Sequence, residues 1–404
     1  MRRYLVLVAS VVMQVCLGGT YAWSVFVPAL SGEYGLSSAQ TQAIFGVTIA
    51  LLCVSMVFAG RLQDRWGPRP VAMIGAVLYA CGYLLASRSG GRYPLLLLGN
   101  GFIVGTGIGF AYVCSLATCI KWFPERKGLI TGITVAGYGA GAIVLSSLAA
   151  VLFARGLDVL AIFHWVGLGY GSVVFLAALA LVVPATGPTG PAAVTVRLGE
   201  LLRHRALWGA VSGIFCGTCA GVMVIGNLKP IGLDAKASLA VATAAISTLA
   251  VGNALGRISW GAVYDRWGRR AIPVSLLFLA GAVRALLAAR SSSLGLLVTA
   301  VLVGFGYGAC LVLYAAWVAS VWGPQRVGSV YSVVMLFHGA AALVGPPLGG
   351  RLYDLRGDFT LSLLVGAGIA TLGAAVVWAL QTRDKEVVAE APVSEGLLMV
   401  EPPD

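Results

Sequence analysis

Of the ionisable residues inside the apolar runs of this chain, Arg257 and His338 are where its chemistry is expected. Arg257 lies within the run from Leu239 to Val263, which is long enough to span a bilayer, whereas all 15 carboxylates fall in gaps between apolar runs or in the C-terminal tail. An arginine in hydrocarbon costs at least ~2.5 kcal/mol and marks a substrate or ion pathway. With no intramembrane carboxylate to pair it, the simplest counter-ion is the cargo, so a small organic anion is expected. Asn253 stands one turn earlier on the same helical face, where its amide can hold the guanidinium or the anion. The plainer alternative is an arginine snorkelling to the surface, since Asp265 follows at ~12 Å along a helix. His338 lies near the middle of a later apolar run, and a group with a reference pKa of ~6.5 can carry a proton there. Its plainer alternative is an interhelical hydrogen bond.

Other chemistries find little support. Tyr21, Tyr112, Tyr138, Tyr307, Tyr314 and Tyr331 place phenols within apolar runs, where they can bind a carboxylate or simply pack. Cys216-x-x-Cys219 has metal or redox spacing but no nearby histidine or acid, so packing is the expectation and no metal or cofactor is assigned. No Ser/His/Asp set, carboxylate pair or metal-ligand cluster lies in the apolar runs, and no enzyme is expected. Gly105-Thr-Gly107-Ile-Gly109 and Gly304-Phe-Gly306-Tyr-Gly308 mimic a dinucleotide fingerprint without the preceding strand, and are expected to let helices approach or bend.

These residues need a membrane scaffold. The 404 residues are 59% hydrophobic and 10% charged, with a mean hydropathy of +0.92. A soluble chain could not hide that much apolar surface. Division at charged and Pro/Gly clusters gives about twelve stretches near the ~20 residues that cross the hydrocarbon core as helices. They run approximately 4–30, 40–60, 71–87, 95–117, 129–153, 159–183, 207–227, 239–263, 271–289, 293–320, 328–349 and 359–381. The net charge of +12 does not point to nucleic acid, because Lys and Arg are about twice as frequent in the gaps on the N-terminal side of the spans as in the opposite ones. That bias places both termini in the cytoplasm, and a plasma membrane, the inner membrane of a bacterium, is the expected location. The lipid bilayer is the expected environment.

The chain repeats itself at an interval of about two hundred residues. Gly60-Arg-Leu-Gln-Asp64-Arg65-Trp66-Gly67 returns as Gly261-Ala-Val-Tyr-Asp265-Arg266-Trp267-Gly268. Trp122, Pro124, Arg126 and Gly128 return as Trp322, Pro324, Arg326 and Gly328. The expected organisation is an N-terminal six-helix bundle (1–183), a Pro/Gly-containing cytoplasmic linker (184–206), a C-terminal six-helix bundle (207–383) and a disordered cytoplasmic tail (384–404).

The paired Gly-x-x-x-Asp-Arg-x-Gly loops resemble those of the major facilitator superfamily. Lys121-Trp-Phe-Pro-Glu-Arg-Lys127-Gly128, leading into Ala136-Gly137-Tyr138-Gly139, is similar to a motif shared by its oxalate/formate antiporters and monocarboxylate transporters. The resemblance implies an all-α membrane protein of twelve transmembrane helices in two six-helix bundles. It implies secondary active transport by alternating access, of a small monocarboxylate such as lactate or pyruvate, by proton symport in which His338 couples the proton. Carried over by position, the substrate residues are Arg257, Asn253, Tyr112, Tyr138 and Tyr307, and Asp64, Arg65, Asp265 and Arg266 belong to gating loops. His338 stands where the oxalate-type relatives place a lysine. A carboxylate exchanger of oxalate/formate type, or a non-transporting membrane receptor, are the alternative functions.

Overall fold

The computed structural model describes residues 2–123, 127–183, 198–322 and 327–389, which are helical and, among the described residues, contain no strand. Among the described residues, eleven stretches are long and apolar enough to cross a membrane. One of them, Leu239–Ala289, holds two helices on either side of the turn Gly268–Arg270, which makes twelve crossings. Helices satisfy their own backbone groups in hydrocarbon, and the chain is an integral membrane protein.

The helices are α1 (Arg2–Gly18, continued by the 3-10 turn Gly19–Val25 and by Val27–Tyr34), α2 (Ser38–Trp66), α3 (Pro68–Ser87), α4 (Tyr93–Leu96, the π-helical stretch Leu97–Val104, and Gly105–Trp122), α5 (Lys127–Ala154) and α6 (Val159–Leu179). The second set is α7 (Arg205–Asp234), α8 (Leu239–Trp267), α9 (Ala271–Ala289), α10 (Ser293–Trp322), α11 (Val327–Arg356) and α12 (Thr360–Ala389). A short helix, Leu198–Arg203, lies within the stretch expected to be linker. The last helix also runs past Asp384, where the sequence suggested that the tail begins. Residues 390–404 lie outside the described residues.

One face of the molecule, the terminal face, carries Arg2 and the ends of α2, α4, α8 and α10. The opposite face carries the starts of α2, α4, α8 and α10. Within each set of six the helices pack closely, and the two sets meet along α2 with α11 and α5 with α8, while the turn in α1 meets α7. Glycines set the tightest seam. Added Cβ atoms at Gly252 and Gly256 of α8 would collide with the Val301 and Phe305 carbonyls, and at Gly304 of α10 with that of Leu249. The helix that carries Arg257 therefore lies backbone to backbone on α10, and the glycine runs serve close approach.

The opposite face is closed by bonds between the two sets. Ser37 starts α2 with a capping box shared with Gln40. The Asp354 carboxylate at the end of α11 accepts the Ser38 and Ala39 N–H groups at 3.1 and 3.0 Å. A carboxylate on free N–H groups at the positive end of a helix is favourable on both counts. Deeper, Gln42 Nε2 donates to the Gly226 carbonyl at 2.8 Å. That carbonyl is available because Pro230, inside α7, has no N–H to give it.

Candidate functional site

Between the two sets lies a cavity of about 730 Å³. Its walls come from α2, α4 and α5 on one side and α8, α10 and α11 on the other, mostly from the portions nearer the terminal face, with Tyr21 of the α1 turn at its inner end. Most of the lining is apolar, including Leu52, Met56, Val113 and Ile258, and among the described residues no carboxylate belongs to it.

Arg257 supplies the fixed charge. Its side chain is buried, at 8% exposure, and Nε donates to Asn253 Oδ1 at 2.8 Å. The i, i+4 spacing puts both on one face of α8, and that bond orients the guanidinium plane. Nη1 donates across to the Val135 carbonyl of α5 at 3.1 Å. Nη2 is buried without any hydrogen-bond partner. An unpaired donor of a buried cation is expensive, and an anion entering the cavity would satisfy it.

The tyrosines form a chain beside it. Tyr21 meets Tyr138 edge-on at 5.3 Å between centroids, and Tyr138 meets Tyr112 in the same manner at 5.3 Å. The Tyr138 hydroxyl is buried and unpartnered. Tyr307 is fully buried and is not among the lining residues; its hydroxyl lies 3.4 Å from that of Tyr21, behind the cavity wall. The α10 face bearing Tyr307 turns toward Gly221 of α7, where a Cβ would strike the ring, while Tyr21 lines the cavity.

His338 lines the cavity and is 3% exposed, with Nδ1 held 2.8 Å from the Thr218 hydroxyl of α7. His338 thus makes an interhelical hydrogen bond and borders the cavity. Arg65, Asp265 and Arg266 are exposed at the ends of α2 and α8, on the terminal face and away from the cavity lining. The Asp64 side chain lies outside the described residues. Sequence reasoning did not single out Val135 or Thr218. A backbone carbonyl and a small hydroxyl carry no signal in one sequence, and only the meeting of α5 with α8 and α7 with α11 gives them a partner.

Comparison with known proteins agrees with this architecture. The family model of the Major Facilitator Superfamily matches residues 8–230 and 218–400. The oxalate:formate antiporter of Oxalobacter formigenes is 26% identical over 359 residues, covering 87% of this chain and 85% of that protein. Monocarboxylate transporter 13 of Rattus norvegicus is 26% identical over 404 residues, covering 92% and 89%. The solved structure of the xylose transporter XylE from E. coli superposes with a TM-score of 0.72 at 14% identity, covering 98% of this chain and 99% of that one, a likeness of fold. Twelve membrane helices in two related sets, with the cavity between them, are therefore those of a transporter and not of an enzyme, and the chain belongs to the Major Facilitator Superfamily.

Proposed function

We propose that the chain carries a small monocarboxylate, of the lactate or pyruvate type, across the plasma membrane together with a proton. The observation that carries this reading is the unpartnered Nη2 of Arg257 at the wall of a cavity that contains no carboxylate. One permanent cation suits a monoanion, and the apolar lining suits a short carbon tail. The carboxylate bridges Nη2 and the free Tyr138 hydroxyl, Asn253 keeps the guanidinium in plane, and exclusion of water strengthens the pairing. The kinship with a monocarboxylate transporter points the same way.

The basic bias of the loops assigns the terminal face to the cytoplasm, so the structure is read as the inward-facing state, closed outside by the Asp354 and Gln42 bonds. Alternating access then proceeds by rocking of the two sets about the cavity. In this reading His338, beside the cavity and bonded to Thr218, takes up the coupled proton. Exchange of carboxylates of the oxalate/formate type is the second reading, favoured by the kinship with an oxalate:formate antiporter and by the second positive charge that a protonated His338 would add. Proteoliposomes separate the two. Accumulation of L-lactate driven by an imposed pH gradient, with no anion inside, supports symport; uptake that requires internal oxalate or formate replaces it with exchange. A chain that moves neither is a receptor.

A further inference from the structure

Among the described residues only Arg257 and Lys229 are both charged and buried, and the reading above leaves Lys229 without a task. It is 6% exposed and sits toward the opposite-face end of α7. Its Nζ donates to the Val25 carbonyl of α1, in the other six-helix set, at 3.2 Å, and lies 5.8 Å from the centroid of the Phe153 ring of α5. No carboxylate pairs with it among the described residues. A carbonyl and a ring face compensate a buried ammonium incompletely.

Two features show what this arrangement is for. The first is its place: Lys229 adjoins Pro230, whose freed Gly226 carbonyl holds Gln42, so its bond belongs to the group that spans the two sets on the closed face. Those bonds must part when that face opens. The second is a repeated geometry, for Arg257 rests on the Val135 carbonyl as Lys229 rests on that of Val25. In each case a cation of the second set borrows a backbone oxygen of the first. When the closed face opens, Lys229 loses its oxygen, and its ammonium meets an opened vestibule with nothing to balance it.

We propose that Lys229 is a second anion site, which receives the carboxylate entering from the opposite face and gives it up to Arg257 as the Val25 carbonyl returns. The site takes the same carboxylates as the cavity and rests on the reading of the chain as their carrier. It predicts a sided effect. In oriented proteoliposomes Lys229→Gln raises the half-saturating concentration of L-lactate at the opposite face by about tenfold, the loss expected for one charged hydrogen bond. The value at the terminal face stays within about twofold, and Lys229→Arg restores the opposite-face value. Equal values for Gln and wild type at the opposite face, or equal shifts at both faces, overturn the proposal and leave Lys229 as a gate contact.

The wild type provides a second readout, independent of how the variants fold. A membrane-impermeant amine acylating reagent added at the opposite face should modify Lys229, read by mass spectrometry, and added L-lactate should protect it. Absence of modification, or modification that lactate does not slow, overturns the proposal equally. A wild type that transports lactate while Lys229 fails these tests removes only this inference. A wild type that transports no carboxylate removes the transport reading and this inference with it.

Discussion

At Arg257 the geometry asks for a fork rather than a charge, since Nε and Nη1 are both engaged and Nη2 alone is left over. Lysine keeps the charge but has no planar set of donors to hold Asn253, Val135 and an anion together. Arg257→Lys should therefore lower lactate uptake by at least about tenfold in a variant that still inserts and folds, measured as initial rate in proteoliposomes. Near-normal uptake would remove Arg257 from the binding role. His338→Gln keeps a partner for Thr218 and should leave lactate exchange measurable while abolishing its response to an imposed pH gradient; a surviving response makes the imidazole structural. His338→Lys should shift preference toward oxalate. Much of this site was legible in the sequence, because an isolated arginine in an apolar run and an amide at i, i+4 are local facts. Tyr21 and Tyr307 were not separable, since both are phenols in apolar runs and only the rotation of α1 and α10 about their axes decides which faces the cavity.

The helices themselves announced their number through the length of their apolar runs, and α8 begins at Leu239 where its run does but continues past Val263 to Trp267 before Gly268 ends it. The turn in α1 and the π-helical stretch of α4 had no such signal, because each lies inside a continuous run, 4–30 and 95–117, with no charge or proline at the departure from the regular ladder. The seam between α8 and α10 shows what the glycine runs do. Gly304→Leu would force the two backbones apart beside Asn253, and destabilisation of about 1–3 kcal/mol is expected, with a lower melting temperature in detergent and loss of transport. An unchanged melting temperature would mean that the seam has room to spare. On α7, Pro230→Ala gives the Gly226 carbonyl back an N–H donor, which competes with Gln42. The closed face should then open more often, seen as faster labelling of a Val25→Cys variant by an impermeant maleimide; slower labelling would contradict that role for the proline.

The whole molecule is a pair of six-helix sets that agree at one face and part at the other. The repeat of about two hundred residues made the two sets legible. What one sequence could not show was the state, because which face is closed depends on contacts such as Asp354 with Ser38 and Ala39, some three hundred residues apart. Asp354→Asn removes the charge from the α2 cap and should favour the state open at that face, raising uptake rate or lowering it according to which step limits turnover, with labelling of Val25→Cys increased in either case. At this scale the central claim is that a carboxylate bound in the cavity completes the hydrogen bonding of Arg257. The direct measurement is the melting temperature of the purified protein in detergent with L-lactate or with lactamide, its neutral amide, for wild type and for Arg257→Lys. The account predicts that lactate raises the wild-type melting temperature, that lactamide does not, and that the lysine variant responds to neither. An equal response to the amide, or a full response by the lysine variant, would contradict it.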